Sequence, residues 1–222
     1  MRYFHIQRIN GIRKEWRKGE FGETGQNEFH KDILQGIERI SKSNFNGKRV
    51  IQKAREALQT NWTEELDYKS KNYENLFYKV QDLLINFEGL SNELFESHLQ
   101  HLKWIREEIF EKNRIEINPN LPSRKKCLWL CSKDGLESWW NTFENSSKKR
   151  IIQLDLKDKG KIHIGDAEFL HLDTFSIAKW EKFSIDYWNG IKTENPDLEI
   201  LYEGKFEVIA EFEQLDEIKT CT

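Results

Sequence analysis

Cysteine is scarce: 3 residues in a chain of 222. Cys127 and Cys131 lie four apart in a strand-like run, which puts their Cα atoms about 13 Å from each other. A disulfide spans at most about 7 Å. No CxxC pair accompanies either residue, so neither a disulfide framework nor a structural zinc site is expected. Long apolar runs are missing as well. No stretch approaches the ~20 residues that a bilayer-spanning helix needs, and the opening MRYFHIQRIN carries no apolar h-region. The expected location is therefore the cytoplasm, with no membrane partner.

A dominant charge is also absent. The 35 Lys and Arg against 38 Asp and Glu leave a formal net charge of -3, so no global field draws the chain to nucleic acid or to anionic lipid. The usual catalytic signatures do not occur: there is no GxxxxGK[ST], GxSxG, HExxH or GxGxxG, which removes the common nucleotide-hydrolase, esterase, metalloprotease and dinucleotide-fold readings. No repeat with a period of 20 to 50 residues and no low-complexity tract is present.

What the chain does have is charge and aromatic area. Charged residues make up 33% and mean hydropathy is -0.78, yet 14 Phe, 8 Trp and 6 Tyr supply enough apolar surface for a packed core. Disorder is excluded.

Periodicity divides the chain, and the class it predicts is α+β, a single domain overall across 1–222. Residues 2–9 read as a strand followed by a loop marked by Gly11, Gly19, Gly22 and Gly25. A helical section over 27–114 follows, with four amphipathic helices. The first carries Phe29, Ile33, Ile37 and Ile40, and the second Val50, Ala54, Ala57 and Leu58. The third runs from about Tyr73 to a stop at Gly89, and the fourth presents Leu94, His98, Leu102, Ile105 and Ile109 on one face. Pro119 and Pro122 then mark a boundary before the strand-like CLWLC of 127–131. Beyond it come a helix capped by Asp134, a hairpin of 151–156 with 162–164 around Lys159 and Gly160, a helix ending near Gly190, and a last hairpin of 198–202 with 206–212 around Glu203 and Gly204.

Few residues stand out chemically. His98 and His101, three apart on a helix, form half a metal site at most, and no metal is expected. The pairs Trp139-Trp140 and Tyr187-Trp188 offer faces for a planar ring, although core packing is the stronger reading of them. The runs Arg13 to Lys18, Arg124 to Lys126 and Lys148 to Arg150 offer phosphate contacts or solvated loops.

The order of segments adds a resemblance. Phe4-His5-Ile6, Leu128-Trp129-Leu130-Cys131-Ser132 and Asp197-Leu198-Glu199-Ile200-Leu201 with Gly204 and Val208 are similar to the three motifs of the ADP-ribosyltransferase fold. The chain also resembles an uncharacterised bacterial domain family thought to share that fold, with a late helix holding Ala178 and Tyr187-Trp188. The resemblance covers residues 1–10 and 126–213 and implies a mixed-sheet core into which a four-helix unit is inserted after the first strand. It implies NAD as substrate, with an acceptor, protein or nucleic acid, that it does not name. It further implies that His5 orients the NAD ribose, that Trp129, Ser132 and Trp140 border the nicotinamide, and that Glu199 and Asp197 are the catalytic acids. On an extended chain those two carboxylates stand roughly 6.5–7 Å apart on one side. Ile6 occupies a place where many members of the fold group have Gly, and Asp197 one where Glu or Gln is usual. Two other classes stay open: a catalytically silent interaction module on the same fold, and a nucleic-acid-binding protein using the basic loops.

Overall fold

A computed structural model describes residues 2–9, 15–41, 52, 71–143, 148–157, 159–172 and 176–220. Among them are seven strands: β1 (Tyr3–Arg8), β2 (Phe21–Glu23), β3 (Leu128–Leu130), β4 (Lys149–Leu156), β5 (Lys161–Asp166), β6 (Leu198–Glu203) and β7 (Lys205–Phe212). The helices are α1 (Glu28–Ser41), α2 (Lys71–Ile117), α3 (Leu136–Thr142), α4 (Ile177–Trp188) and α5 (Leu215–Thr220), with a 3-10 turn at Ala167–Leu170. The class is α+β. Two compact units divide the chain, one made of Met1–Lys31 with Lys103–Thr222 and the other of Asp32–Leu102.

The first unit holds both sheets. Their strand orders are β1-β4-β7-β2 and β3-β6-β5, and every pairing among the named strands is antiparallel. That differs from the mixed sheet the resemblance implies. Neither expected hairpin forms. β4 already has β1 and β7 on its two edges, so β5 pairs instead with β6, while β7 pairs with β4 and β2. β4 and β5, and likewise β6 and β7, thus belong to different sheets, as happens where a strand bends from one packed layer into the next.

Glycine makes these crossings possible. A Cβ on Gly160 would stand 2.2 Å from the Tyr202 ring, and one on Gly204, the single residue between β6 and β7, 2.6 Å from the Tyr202 hydroxyl. That hydroxyl reaches the carbonyl oxygens of Lys205 at 2.5 Å and Lys157 at 3.3 Å, so one tyrosine ties both crossings. A bridge joins the two sheets elsewhere: Phe4 and Cys131 exchange backbone hydrogen bonds of 3.0 and 2.8 Å.

Alternation along each strand sorts the core. Ile200 and Tyr202 pack with Leu130, Ile152, Leu154, Phe206 and Val208 between the sheets. Leu201, on the opposite face of β6, packs with Phe110, Cys127, Phe169, Tyr187 and Trp188. Phe4 joins Cys131, Leu136, Ile151 and Ile218. Each such side chain contributes roughly 1.5–3 kcal/mol by leaving water.

Helix ends follow local chemistry. Asn27 Oδ1 accepts from His30 N at 2.8 Å and starts α1. Gly190, at φ +72, closes α4, with Gly190 N bonded to Tyr187 O and Ile191 N to Asp186 O, each at 3.0 Å. Gly135, not Asp134, stands at the N-cap of α3. Gly89 does not stop a helix: the expected third and fourth helices are the single 47-residue α2. No proline follows Gly89, and the apolar period continues through Leu90 and Leu94, so the glycine is carried inside the helix at a cost of about 1 kcal/mol. The expected second helix lies outside the described residues. β2 is a strand within the loop that its glycines mark.

In the second unit α1 and α2 approach closely at Gly36, where a Cβ would lie 3.1 Å from Gln100 Cγ. Among the described residues no helix is long and apolar enough to cross a membrane. The crossing argument makes a direct prediction. Gly204→Ala should lower stability by about 1–3 kcal/mol through overpacking, whereas Gly25→Ala, facing open space, should change it by no more than about 0.5 kcal/mol. Chemical denaturation of both variants checks this, and equal effects would refute the crossing role of Gly204.

Candidate active site

A cavity of about 850 Å³ opens in the first unit, within the roughly 300–1,000 Å³ of small-molecule sites. Three segments remote in sequence contribute to its lining: His5 from β1, Trp129 from β3 and Glu199 from β6. Trp16, Phe29, Trp139, Phe143 and Phe206 add aromatic faces, and Arg8, Arg106 and Arg124 add positive charge.

The period of β1 sets His5. Phe4 and Ile6 pack into the core on one face, which turns His5 to the other. Its Nδ1–H donates to the Trp129 carbonyl at 2.9 Å, because a carbonyl can only accept. That bond orients the imidazole ring. The His5 ring lies 5.2 Å from that of Trp16, while Trp129 meets Phe29 edge-on at 5.7 Å.

Glu199 is 3% exposed, and its position opposite Gly165 explains its surroundings. A Cβ on Gly165 would stand 2.1 Å from the Tyr187 ring, so the glycine makes room for Tyr187 on β5. The Tyr187 hydroxyl then donates to Glu199 Oε1 at 2.5 Å. Arg124 Nη1 donates to the same oxygen, and Arg124 Nη1 also reaches the Tyr187 hydroxyl at 3.0 Å. On its other side Arg124 donates through Nε to Glu107 Oε2 at 2.9 Å. Arg106 completes the cluster with a 2.8 Å bond to Glu107 Oε1. Two guanidinium groups and two carboxylates are thus paired in the interior.

Electrostatics follow from this burial. Burial alone would raise the Glu107 carboxyl, but the charges of Arg124 and Arg106 outweigh it and hold the group down at about 2. Burial would lower Arg124, and Glu107 and Glu199 instead raise it above its ordinary value. Tyr187 is pushed up by burial and by the Glu199 charge. Burial also raises both buried thiols, Cys131 to about 12, so neither is a thiolate near neutral pH.

Not every expected residue reaches the cavity. Ser132 and Trp140 are not part of its lining; Ser132 Oγ accepts from Gly135 N at 3.3 Å, and Lys149 Nζ sits 4.3 Å from the Trp140 ring centre. Asp197 is also away from it. It precedes β6, where Asp166 takes its backbone N–H at 3.1 Å, and burial with the charges of Glu168, Glu199 and Asp166 raises its carboxyl. Two arginines of the basic runs are internal, while Arg17, Lys18, Lys126 and Lys148 are exposed. Arg124 is buried, and Arg150, 0% exposed, bonds Gln7, Trp16 O and Glu211. Among the described residues no group of three or more His, Cys, Asp or Glu is placed to hold a metal.

Trp16 in the lining and Glu107 behind Arg124 are functional candidates that the sequence did not single out. On α2 the buried positions are Arg106, Glu107, Phe110, Asn113 and Arg114 rather than the expected Ile105 and Ile109, since polar side chains with buried partners occupy the inner face. A recurrence of Arg106, Phe110 and Asn113 every three or four residues was the available signal.

Two antiparallel sheets with flanking helices and an aromatic-lined cavity define an α+β protein with a ligand-sized site. The chain belongs to the family described as Protein of unknown function (DUF2441), whose model matches residues 3–217. A comparison with curated proteins finds no match.

The Glu107 cluster sets an acid limb. Its folded carboxyl lies below the unfolded value of 4.5, so the unfolded chain binds the proton first, and the stabilisation present above pH 4.5 is lost as pH falls toward 2. Glu107→Gln should remove that contribution and cost about 3–5 kcal/mol at pH 7. Denaturation at pH 7 and pH 3 checks it. A variant as stable as the wild type at pH 7 would contradict the pairing.

Proposed function

We propose that the cavity binds NAD and that the protein breaks the bond between nicotinamide and ribose, passing the ADP-ribosyl group to water or to an acceptor. The observation that carries this reading is that His5, Trp129 and Glu199, remote in sequence, all line one cavity. Nicotinamide and adenine are planar rings, and the cavity supplies indole and phenyl faces for them. Arg8, whose guanidinium lies 5.6 Å from the Phe143 ring centre, supplies charge for the pyrophosphate.

Each residue has a defined part in the step. When the C1′–N bond breaks, its electron pair leaves with nicotinamide and positive charge develops on the ribose. The Glu199 carboxylate, held by Tyr187 and Arg124, stabilises that charge without having to reorient. His5, its ring oriented by the bond to Trp129 O, borders the ribose of the bound dinucleotide. Nicotinamide leaves as a neutral ring, and a hydroxyl nucleophile that attacks C1′ loses its proton to solvent or base.

One observation favours a second reading, the catalytically silent module. Arg124 already pairs with Glu199, which reduces the field the carboxylate exerts on a ligand. The nucleic-acid reading draws less support, because Arg124 and Arg150 point inward.

Calorimetry with NAD and a nicotinamide-release assay separate these readings. Glu199→Gln, confirmed as folded by thermal melting, should bind NAD within about threefold of the wild type and release nicotinamide about 10²- to 10³-fold more slowly. Wild-type binding without release supports the silent module. No wild-type binding overturns the NAD reading.

A further inference from the structure

The loop between β1 and β2 carries basic residues outward and one ring inward. Arg17 and Lys18 are exposed, and Arg17 pairs with Glu15 at 2.9 Å and Glu211 at 3.1 Å. Trp16 is half-buried and lines the cavity. Both of its backbone groups are held. Its N–H donates to Gln7 Oε1 at 3.2 Å, and its carbonyl accepts from Arg150 Nη2 at 2.6 Å. Arg150 in turn bonds the same Gln7 oxygen at 3.0 and 2.8 Å and is fully buried.

The indole is fixed by its neighbours too. It lies 5.2 Å from the His5 ring at 35° and 4.8 Å from the Phe206 ring at 47°. Phe206 is buried, its ring filling the space where a Cβ on Gly22 would stand, 2.4 Å away. Farther along, Gly19, at φ +84, turns the loop back so that Gly19 N meets Val208 O at 2.8 Å. Trp16 packs against the buried cluster that includes Ile152, Leu154 and Phe206 and at the same time lines the cavity. A rigid ring face loses little entropy when it stacks on a ligand.

We infer that Trp16 is a ligand-contacting residue of the cavity, clamped by Gln7 and Arg150 so that its indole stacks on the planar heteroaromatic ring of a nucleotide. This rests on the reading of the cavity as a ligand site and names a specificity residue within it. The ring comes from nicotinamide or from adenine, and the choice of probe tells them apart.

The test titrates the full chain with NAD, AMP and nicotinamide, each separately, by calorimetry and by tryptophan fluorescence, for wild type, Trp16→Leu and Trp16→Phe. Loss of the indole should weaken the tightest-binding probe by about tenfold or more, and Trp16→Phe should restore it to within about threefold. The quenching that the probe causes in wild type should shrink in Trp16→Phe, a readout that a purely structural tryptophan would not move. If folded Trp16→Leu binds like wild type, or if quenching in Trp16→Phe is unchanged, the inference is overturned while the NAD reading stands. Trp16-dependent AMP binding without nicotinamide release from NAD upholds the inference and removes the NAD-cleavage reading. Wild-type protein that binds none of the three probes overturns both.

Discussion

A guanidinium that is 3% exposed is the constraint from which much of the first unit follows. Taking an ion out of water costs several kcal/mol unless partners replace the lost hydration, so Arg124 dictates what must surround it. It draws Glu107 from α2, Glu199 from β6 and Tyr187 from α4 to one point. Those partners lie up to 75 positions from Arg124 in sequence. Gly165 is part of the same arrangement, because any side chain there would displace the Tyr187 ring. The helix, the sheet and the late helix are thereby set in a single geometry, and the rear of the cavity with them.

The same cluster shapes the chemistry available at the cavity. The Arg124 guanidinium paired with the Glu199 carboxylate offsets part of the field that the carboxylate exerts. Whether such a group serves as an electrostatic stabiliser or as a structural counter-ion depends on how strongly it acts on charge developing in a ligand. His5 and Trp16 occupy a different part of the lining, where rings rather than ions dominate, so the cavity combines a charged region with an aromatic one. That division suits a ligand having both a planar ring and charged groups.

Legibility in the sequence tracked the range of the interaction. Features decided within a few residues could be read: the strand holding His5, the start of α1 at Asn27, the stop at Gly190 and the strand holding Glu199. Strand pairing was not readable, because 151–156 and 162–164 sit beside each other in sequence yet belong to different sheets, and only the competition of β1 and β7 for the edges of β4 decides it. Gly89 looked like a stop because its neighbours alone do not reveal whether a helix continues. Arg124 looked like part of a solvated basic run, since nothing adjacent to it announces Glu107 or Glu199. Asp197 seemed to share the strand of Glu199, but its backbone is held by Asp166 from a distant turn. His5, Trp129 and Glu199 were picked out by a resemblance in segment order, and their placement on one cavity is a tertiary property that spacing does not encode.

A crystal structure of the protein grown with a non-cleavable NAD analogue tests the central claim most directly. The account predicts density for the pyridine ring in the cavity bounded by His5, Trp129 and Glu199, with the ribose C1′ within about 4 Å of the Glu199 carboxylate, as charge stabilisation at the reacting carbon requires. An analogue bound elsewhere on the protein, with this cavity left empty at saturating concentration, would contradict it.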